Sequence, residues 1–305
     1  MIDLTQEDIM KNWGVDNSDN PLVSIKCMTY NHEDYIAQCI DGFLMQKTNF
    51  PFEILIHDDC STDKTESIVR DYEAKFPKII KGIYETENQW KKGCGAHHTK
   101  IDAAIKGKYI ALCEGDDYWI AENKLQLQVD FLENNPEYGM CFHNALKYDY
   151  TNNRKFMFND ENFKELTLKN LILEWHIPTA SIVLLREVMD KKMPAKGEYP
   201  QGDILFHLAG IDFGKIYYFP QIMSVYRYNV VGSATSRSNA DPFKYLKGNS
   251  LLWNDLDSFY NYKYHYYIKK KIRYNNFQIF KQKCLKHFVI FRIIKKIYRM
   301  IKKEC

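Results

Sequence analysis

The sequence lacks the signatures of several protein classes. No stretch approaches the roughly 18 consecutive apolar residues that a membrane-spanning helix needs. The first residues are acidic and polar, so we expect no secretory signal peptide. Neither G-x-G-x-x-G nor G-x-x-x-x-G-K-[ST] follows the first predicted strand, which argues against a dinucleotide fingerprint and against a P-loop.

A disulfide framework is also missing. The eight cysteines include no C-x-x-C pair, and most of them lie in apolar runs. This usage is typical of buried, reduced thiols in a cytoplasmic protein. The chain has 305 residues, of which 45% are hydrophobic and 27% charged, and this predicts one large globular domain or two small ones.

The charge is unevenly distributed. Residues 261–305 contain 14 Lys and Arg and a single acid, Glu304, whereas residues 1–260 contain 28 Lys and Arg and 38 acids. The net charge of +3 therefore hides an acidic body and a strongly basic tail. Such a division suggests that the tail contacts an anionic surface.

The first 119 residues alternate between apolar strand patterns and helical patterns. The pattern predicts strands at 22–28, 52–57, 79–84 and 109–113, with helices at 33–46, 64–76 and 97–106. Strands separated by helices form βαβ units, so we expect an α/β fold with a parallel sheet.

Two of these strands end in acidic residues. Asp58 and Asp59 end the second strand, and Glu114, Asp116 and Asp117 follow the fourth. Right-handed crossovers place both groups at the carboxyl edge of the sheet, where open α/β sheets bind ligands. Hard divalent cations take carboxylates and substrate phosphates as ligands, so we predict a metal–diphosphate site. The alternative is an acidic surface turn that only ends a strand.

The pattern changes after Trp119. Short strands are predicted at 138–143, 182–186, 215–219 and 224–228, a helix at about 203–210, and irregular polar chain at 147–165. We interpret 1–20 as a polar lead-in, 21–119 and 120–235 as two halves of one domain, and 236–305 as a helical extension.

As a set, these motifs resemble those of glycosyltransferase family 2. The resemblance spans about 21–235 and rests on the stretches Val23-Ser24-Ile25, Thr29-Tyr30-Asn31, His57 to Asp63, Gly107 to Asp117, and Gly202-Asp203. It implies the GT-A fold, a Rossmann-like, mostly parallel sheet flanked by helices, here with a helical extension. It also implies synthesis of bacterial surface polysaccharides such as capsule or O-antigen.

The resemblance assigns a nucleotide-sugar site. Tyr30 would stack on the base, Thr29 and Asn31 would flank it, and Asp59 would hydrogen-bond the base. The residues themselves leave two alternatives open: Tyr30 could be a core aromatic, and Asp59 could simply lead into the next helix.

The resemblance also assigns the chemistry. Asp117 would bind Mn²⁺ or Mg²⁺, Asp116 would contact the ribose or the metal, and Asp203 would be the catalytic base. Alternatively, Asp203 only caps its helix.

Two positions depart from the family pattern. Glu114 stands where an Asp or a small residue is common, and His97 and His98 stand where many relatives carry an Arg-Asn pair. We interpret all three as possible contacts to the donor.

Four further residues have open roles. Trp119 could line the acceptor cleft or lie in the core. Thr179 and Ser181 fall in a region that lines the acceptor side in the family. Arg227 could contact the diphosphate or face solvent.

The resemblance implies an inverting transferase that moves a sugar from a nucleotide-diphosphate sugar, with UDP as the first choice, to a glycan or polyprenyl-diphosphate-linked acceptor. A sugar-nucleotide pyrophosphorylase is an alternative, but it would need a Gly-rich basic loop after the first strand. A non-catalytic, membrane-tethered binding module is the third possibility, and an oligomer is possible in each case.

The tail interleaves aromatic and aliphatic residues with Lys and Arg at helical spacing, from Phe280 to Ile301. A basic amphipathic helix of this kind is typical of the surface of an anionic bilayer. We therefore expect a cytoplasmic protein, peripheral on the inner face of the membrane. The alternative is packing on the domain or on a dimer partner. No motif indicates nucleic-acid binding.

Overall fold

A mixed sheet forms the centre of the molecule. The computed structural model describes residues 3–14, 20–92, 96–191, 199, 202–230 and 233–301, with side chains up to residue 284. Within these residues the chain forms a nine-stranded sheet. Alternate residues of a strand point to opposite faces, and Ile54 and Ile56 belong to one apolar cluster whereas Leu55 belongs to another. The sheet therefore has a packed core on each face.

The first half follows the predicted alternation closely. In chain order it contains α1 (Gln6–Met10), β1 (Val23–Thr29), α2 (Ile36–Leu44), β2 (Phe52–Asp58), α3 (Thr65–Lys75), β3 (Ile80–Tyr84), α4 (Thr99–Ala104) and β4 (Tyr109–Glu114). The four strands lie in the order β3–β2–β1–β4 and all pair in parallel. The predicted parallel sheet is confirmed for this half.

The second half is not parallel throughout. It contains β5 (Tyr118–Trp119), α5 (Lys124–Asn134), β6 (Tyr138–Asp149), β7 (Arg154–Met157), α6 (Leu168–Leu173), β8 (Val183–Leu185), α7 (Arg186–Met189), α8 (Asp203–Phe213) and β9 (Lys215–Tyr228). The sheet continues from β4 through β8, β6 and β9 to β5, and β7 pairs with β6. Of these pairings, β6–β9 is parallel, and those of β8, β5 and β7 are antiparallel.

Two predictions for this half were wrong in detail. The segment 147–165 was expected to be irregular, but β6 and β7 form a hairpin through it, with Asn153 at a positive φ of 48°. Two strands were expected at 215–219 and 224–228, but β9 is continuous. The pairing with β6 shifts register near His143 and Asn144, and β9 continues through Pro220 and Gln221 at this irregularity.

The N-terminal residues are more than the polar lead-in that was expected. Thr5 caps α1 with a reciprocal capping box to Asp8. Ile9 and Trp13 are buried in the core cluster, and the Trp13 indole N–H donates to Thr48 Oγ1 at 3.0 Å. The segment therefore packs on the domain, and its polar composition concealed the two apolar anchors.

Three helices end the described chain: α9 (Ala234–Ala240), α10 (Pro242–Phe259) and α11 (His265–Ile301). Leu252, Trp253 and Leu256 of α10 pack with Ile204 and Leu208 of α8. This helix therefore packs on the domain. In the described part of the chain, every helix is too short or too polar to cross a membrane.

Several titratable side chains are buried in the core. Cys27, Cys39, Cys113 and Cys141 are buried free thiols, as predicted, and burial raises the pKa of Cys141 to about 12. Lys124 is also fully buried: its ammonium lies 3.9 Å from the centre of the Trp119 ring and has no hydrogen-bond acceptor among the described residues. Burial lowers the pKa of Lys124 to about 7.

Lys124→Met is expected to raise the free energy of unfolding at pH 7 by roughly 2–4 kcal/mol, because the folded protein no longer desolvates an ammonium. Between pH 7 and about 10 the unfolded Lys124 binds a proton that the folded one does not. Wild-type stability should therefore rise with pH relative to the variant, by at most about 1.4 kcal/mol per pH unit. Urea unfolding of both proteins across this range measures the difference.

Lys106→Met is the matched control, because Lys106 is exposed at the end of the crossover to β4. It should change the free energy of unfolding by less than about 0.5 kcal/mol. Parallel pH profiles for wild type and Lys124→Met would show that the buried amine is not neutralised on folding.

Candidate functional site

The carboxyl ends of β2, β1 and β4 meet at one edge of the sheet. Thr29 pairs with Asp58, and Met28 pairs with Glu114, so the two acidic segments flank the end of β1 as predicted. The turn after β4 lies directly against β1: a Cβ at Gly115 would come within 2.7 Å of Thr29 Oγ1. A side chain at this position would push the acidic turn off the strand.

The turns after β1 and β2 are tied to each other. Asn31 adopts a positive φ of 54°, its backbone N–H donates to Ser61 Oγ at 2.9 Å, and its side-chain oxygen accepts from the Thr62 N–H at 2.8 Å. Thr29 is buried, with its hydroxyl 3.1 Å from His32 Nδ1. Both predicted flanking residues thus hold the loops in place, and Tyr30 stands partly exposed between them.

Asp59 holds in place the loop that follows β3. Its side chain is buried, and its two oxygens accept the backbone N–H groups of Gln89 at 2.6 Å and Trp90 at 3.0 Å. The Trp90 ring in turn lies 4.8 Å from the ring of His97. The carboxylate therefore orders the loop that brings the histidine pair to the site.

His97 and His98 lie together, with ring centroids 4.0 Å apart. Burial lowers the pKa of His97 to about 4 and that of His98 to about 2, and Lys26 adds to both shifts. Both imidazoles are therefore neutral at pH 7. A contact from either one to a diphosphate would be a hydrogen bond and not an ion pair.

The acidic turn after β4 has one buried and one accessible carboxylate. Asp117 is 2% exposed, and its Oδ1 accepts the backbone N–H of Arg227 at 2.8 Å. Burial, and then the neighbouring Asp116, hold the pKa of Asp117 well above its usual range. Asp116 and Glu114 are partly exposed, and Glu114 lies close enough to favour the charged form of the buried Lys26.

Arg227, which lies on β9, holds the acidic turn after β4 in place. Its guanidinium donates to the Asp116 carbonyl at 2.6 Å and to the Tyr150 hydroxyl at 3.2 Å, and it also bonds Gln38 Oε1. Its Cζ lies 4.3 Å from the centre of the Tyr118 ring. At 2% exposure, Arg227 does not face solvent, so that alternative was wrong. The side chain positions the acidic turn.

A divalent cation fits this turn only if a substrate shares its coordination. Among residues with described side chains, no group of three or more His, Cys, Asp or Glu could hold a metal by itself. Asp116 and Asp117 provide two carboxylates. One of their oxygens, Asp117 Oδ1, already accepts a hydrogen bond from the Arg227 backbone. This donor set matches cations that take one or two carboxylates and complete their coordination with phosphate oxygens and water.

Asp203 is the first residue of α8, after the N-cap residue Gly202. Its Oδ1 accepts the backbone N–H of Ile204 at 3.1 Å, so it does bond the first turn of its own helix. Burial raises the pKa of Tyr226 on β9, and the charges of Asp117, Asp116 and Asp203 each raise it further.

Two predicted acceptor contacts lie in the core. Trp119 is 2% exposed, donates its indole N–H to the Ala180 carbonyl at 2.8 Å and packs edge-on against Phe43. Ser181 is completely buried and donates to the Pro178 carbonyl at 2.6 Å. Thr179 is partly exposed at the start of the same turn. Of the three, only Thr179 is open to a ligand.

Other residues of the site were missed. Tyr35 and Tyr150, which flank Arg227, come from distant segments, and only the fold brings them there. His207 lies four residues after Asp203, on the same side of α8, and is 3% exposed. The i, i+4 spacing from Asp203 was a signal that could have identified it.

Arg227→Met is expected to lower the free energy of unfolding by roughly 2–4 kcal/mol, because the Asp116 carbonyl and Gln38 lose their donor inside the fold. Urea unfolding measures this loss. Arg154→Met, at an exposed position on β7, should leave stability unchanged within about 0.5 kcal/mol. Equal effects of the two substitutions would contradict a positioning role for Arg227.

Comparisons with known proteins identify the family of the chain. An uncharacterized protein of Mycobacterium tuberculosis is 35% identical over 69% of this chain and 60% of its own length. The Escherichia coli protein WfgD, named UDP-Glc:alpha-D-GlcNAc-diphosphoundecaprenol beta-1,3-glucosyltransferase, is 31% identical over 56% of this chain and 63% of its own. The chain thus spans less than two thirds of these relatives.

The crystal structure of Staphylococcus aureus TarS 1-349 in complex with UDP-GlcNAc superimposes with a TM-score of 0.59. The match covers 77% of this chain and 66% of TarS at 20% identity, a likeness of fold alone. The predicted GT-A fold is confirmed. The sequence profile described as "Glycosyl transferase family 2" matches residues 24–193, more than half of the chain. The chain therefore belongs to glycosyl transferase family 2.

Proposed function

We propose that this protein is a metal-dependent, inverting glycosyltransferase. It moves a sugar from a UDP-sugar to a hydroxyl of a polyprenyl-diphosphate-linked or other glycan acceptor, in the synthesis of a bacterial surface polysaccharide. One observation carries the proposal: in a chain of glycosyl transferase family 2, the register of β1, β2 and β4 places the acidic turn at Asp116 and Asp117 at the same sheet edge as Thr29 and Asp58. Two carboxylates at such an edge suit a cation that shares the donor diphosphate, and Asp203 supplies a separate carboxylate for the acceptor.

The donor binds at the carboxyl edge of β1, β2 and β4. Tyr30 stacks on the base, and the loop that Asp59 holds closes over it. UDP is the proposed nucleotide, and the TarS complex with UDP-GlcNAc supports this choice through a shared fold. His97 and His98, neutral at pH 7, donate or accept hydrogen bonds on the donor without adding charge.

Asp116 and Asp117 hold a divalent cation, Mn²⁺ or Mg²⁺, together with the donor diphosphate. When bound, such a cation stabilises the negative charge that develops on the departing diphosphate. Arg227 keeps the two carboxylates in place through the Asp116 carbonyl and its own backbone N–H.

Asp203 takes the proton of the acceptor hydroxyl. The hydroxyl oxygen forms a bond to the anomeric carbon while the bond from that carbon to the diphosphate oxygen breaks. A single displacement from the opposite side inverts the anomeric centre. The bond from Ile204 N–H to Asp203 Oδ1 orients the carboxylate for this step.

The name of WfgD supports a lipid-linked acceptor, since its printed substrate is a diphosphoundecaprenol-linked sugar. Family membership favours a transferase over a sugar-nucleotide pyrophosphorylase. A binding module without catalysis would not need Asp203, so one substitution separates the remaining alternatives.

Asp203→Asn is expected to lower turnover by at least about 10²-fold, because it keeps the oxygen that bonds Ile204 and removes the base. It should retain the Mn²⁺-dependent rise in melting temperature with UDP, because the donor site is intact. Asp117→Ala should lose that thermal shift as well as turnover. The assays are sugar transfer with a panel of UDP-sugars and thermal unfolding with UDP, each with and without Mn²⁺.

Unchanged turnover in Asp203→Asn, with nucleotide binding retained, would contradict the role of the base. A thermal shift from GDP, dTDP or CMP in place of UDP would change the donor series and leave the mechanism in place.

The C-terminal helix provides the proposed contact with the membrane. Apart from Asn276 and Cys284, its described exposed side chains are aromatic or basic, and none of them is an acid: His265, Tyr266, Lys269, Lys270, Arg273, Tyr274, Phe277, Phe280, Lys281 and Lys283. Tyr266 is 74% exposed and Phe280 63%. This composition suits an anionic bilayer surface and a position on the inner face of the cell membrane. The side chains of residues 285–305, which hold most of the predicted basic face, lie outside the described part.

Lys270→Glu together with Arg273→Glu is expected to weaken binding to vesicles containing anionic lipid by roughly 10- to 30-fold, since each basic residue contributes about 1 kcal/mol near such a surface. Sedimentation with vesicles measures the change. Arg154→Glu with Lys155→Glu, on the exposed β7, is the control for charge alone.

Equal sedimentation of both double variants would contradict the membrane contact. If the helix variant instead dissociates a dimer in analytical ultracentrifugation, the face is a protein interface.

A further inference from the structure

A cavity lies beside Asp203. It offers about 40 Å³ to the centres of water-sized groups, more than the roughly 10–15 Å³ that one water requires. Its wall comes from α6 and the chain that follows it, from α8, and from α10 and α11 of the C-terminal helices. The family profile ends at residue 193, so α8, α10 and α11 add a part of the wall that the profile does not include.

The charged side chains of the wall already have partners. Lys271 donates to the Leu173 carbonyl at 2.9 Å. His176 is bonded on both ring nitrogens, to Asn159 at 2.7 Å and to Glu174 at 2.8 Å. The wall contains two carboxylates, Glu174 and Asp203, against one ammonium, so it disfavours a ligand with a full negative charge.

Two neutral side chains keep free hydrogen-bonding capacity. His207 is 3% exposed and Trp253 is 2% exposed, and both line the cavity. His207 Nε2 and Trp253 Nε1 have no hydrogen-bond partner in the described part of the chain. Burial lowers the pKa of His207, which keeps the imidazole neutral. Buried polar groups in native proteins almost always find a partner, so these nitrogens point to a neutral polar ligand.

The rest of the wall is aliphatic, with Trp175 at 39% exposure beside it. The aliphatic members are Leu166, Leu171, Ile172, Ile177 and Ile204. A ligand group that uses the whole cavity therefore combines a carbonyl or N–H with a methyl. A hydroxyl alone would leave the aliphatic wall unused, and a phosphate or carboxylate would meet two carboxylates against one ammonium.

We propose that this cavity binds the acetamido group of an N-acetylated acceptor sugar. The Trp253 indole N–H donates to the acetamido carbonyl, His207 accepts from the amide N–H, and the aliphatic wall takes the methyl. The inference rests on the proposed function. Because Asp203 is the proposed base for the acceptor hydroxyl, a sugar bound in the cavity beside it is the acceptor sugar. The C-terminal helices then select the acceptor.

The experiment measures binding of two soluble probes: a short-chain alkyl diphosphate that carries N-acetylglucosamine, and its glucose counterpart. Wild type should bind the acetylated probe roughly tenfold more tightly, with the strongest saturation-transfer NMR signal on the acetyl methyl. Trp253→Phe, which removes the N–H and keeps an aromatic ring, should abolish most of this preference. Trp13→Phe, which removes an indole donor bonded to Thr48, should retain it.

If Trp253→Phe does not fold, a second variant tests the same proposal. Leu171→Phe fills the cavity from α6 and should also reject the acetylated probe while binding the glucose probe. Equal affinity of wild type for the two probes overturns the acetamido site.

Binding of UDP-GlcNAc and UDP-glucose tests whether the cavity instead holds the acetamido group of the donor sugar. If Trp253→Phe weakens UDP-GlcNAc and leaves the acceptor probes unchanged, the cavity belongs to the donor and the proposal fails. The transferase proposal is decided separately, by turnover of Asp203→Asn, and survives either result.

Discussion

The bond from the Arg227 backbone N–H to Asp117 Oδ1 joins the two halves of the molecule. Asp117 follows the last strand of the parallel half, and Arg227 lies near the end of β9, the long strand of the mixed half. Both side chains are 2% exposed, so the bond lies inside the fold. A backbone N–H left unpaired in such a place costs free energy, and the bond therefore holds the end of β9 against the acidic turn.

Arg227 also explains why so many aromatic hydroxyls gather here. Tyr118 and Tyr35 present ring faces to its guanidinium, and the Tyr150 hydroxyl accepts from Nε. Each contact offsets part of the cost of burying the cation. The same contacts hold the backbone of Asp116 in place through its carbonyl. A partly exposed carboxylate on a fixed backbone suits a ligand that must be bound in one orientation.

The parallel half could be predicted because each strand and each helix has its own periodicity in the sequence. In addition, two of the strands end in acidic residues. Asp59 and Asp116 were found in this way, since strand direction alone brings them to one edge. The mixed half could not be predicted as well. The continuity of β9 depends on pairing with β6, and the burial of Trp119 depends on Phe43 and Ala180. A single sequence does not contain those long-range pairings in any local pattern.

The helix α11 has a consequence for the geometry of the reaction. It runs for 37 residues, about 55 Å at 1.5 Å per residue, and Lys271 near its start lines the cavity beside Asp203. If the exposed face that begins at Tyr266 lies on a bilayer, the start of the helix lies there as well, and the pocket beside it faces the lipid headgroups. One residue inserted after Cys284 would turn the distal part of the helix by about 100° relative to the face of Tyr266 and Phe280, so the two parts could no longer lie on the same bilayer surface.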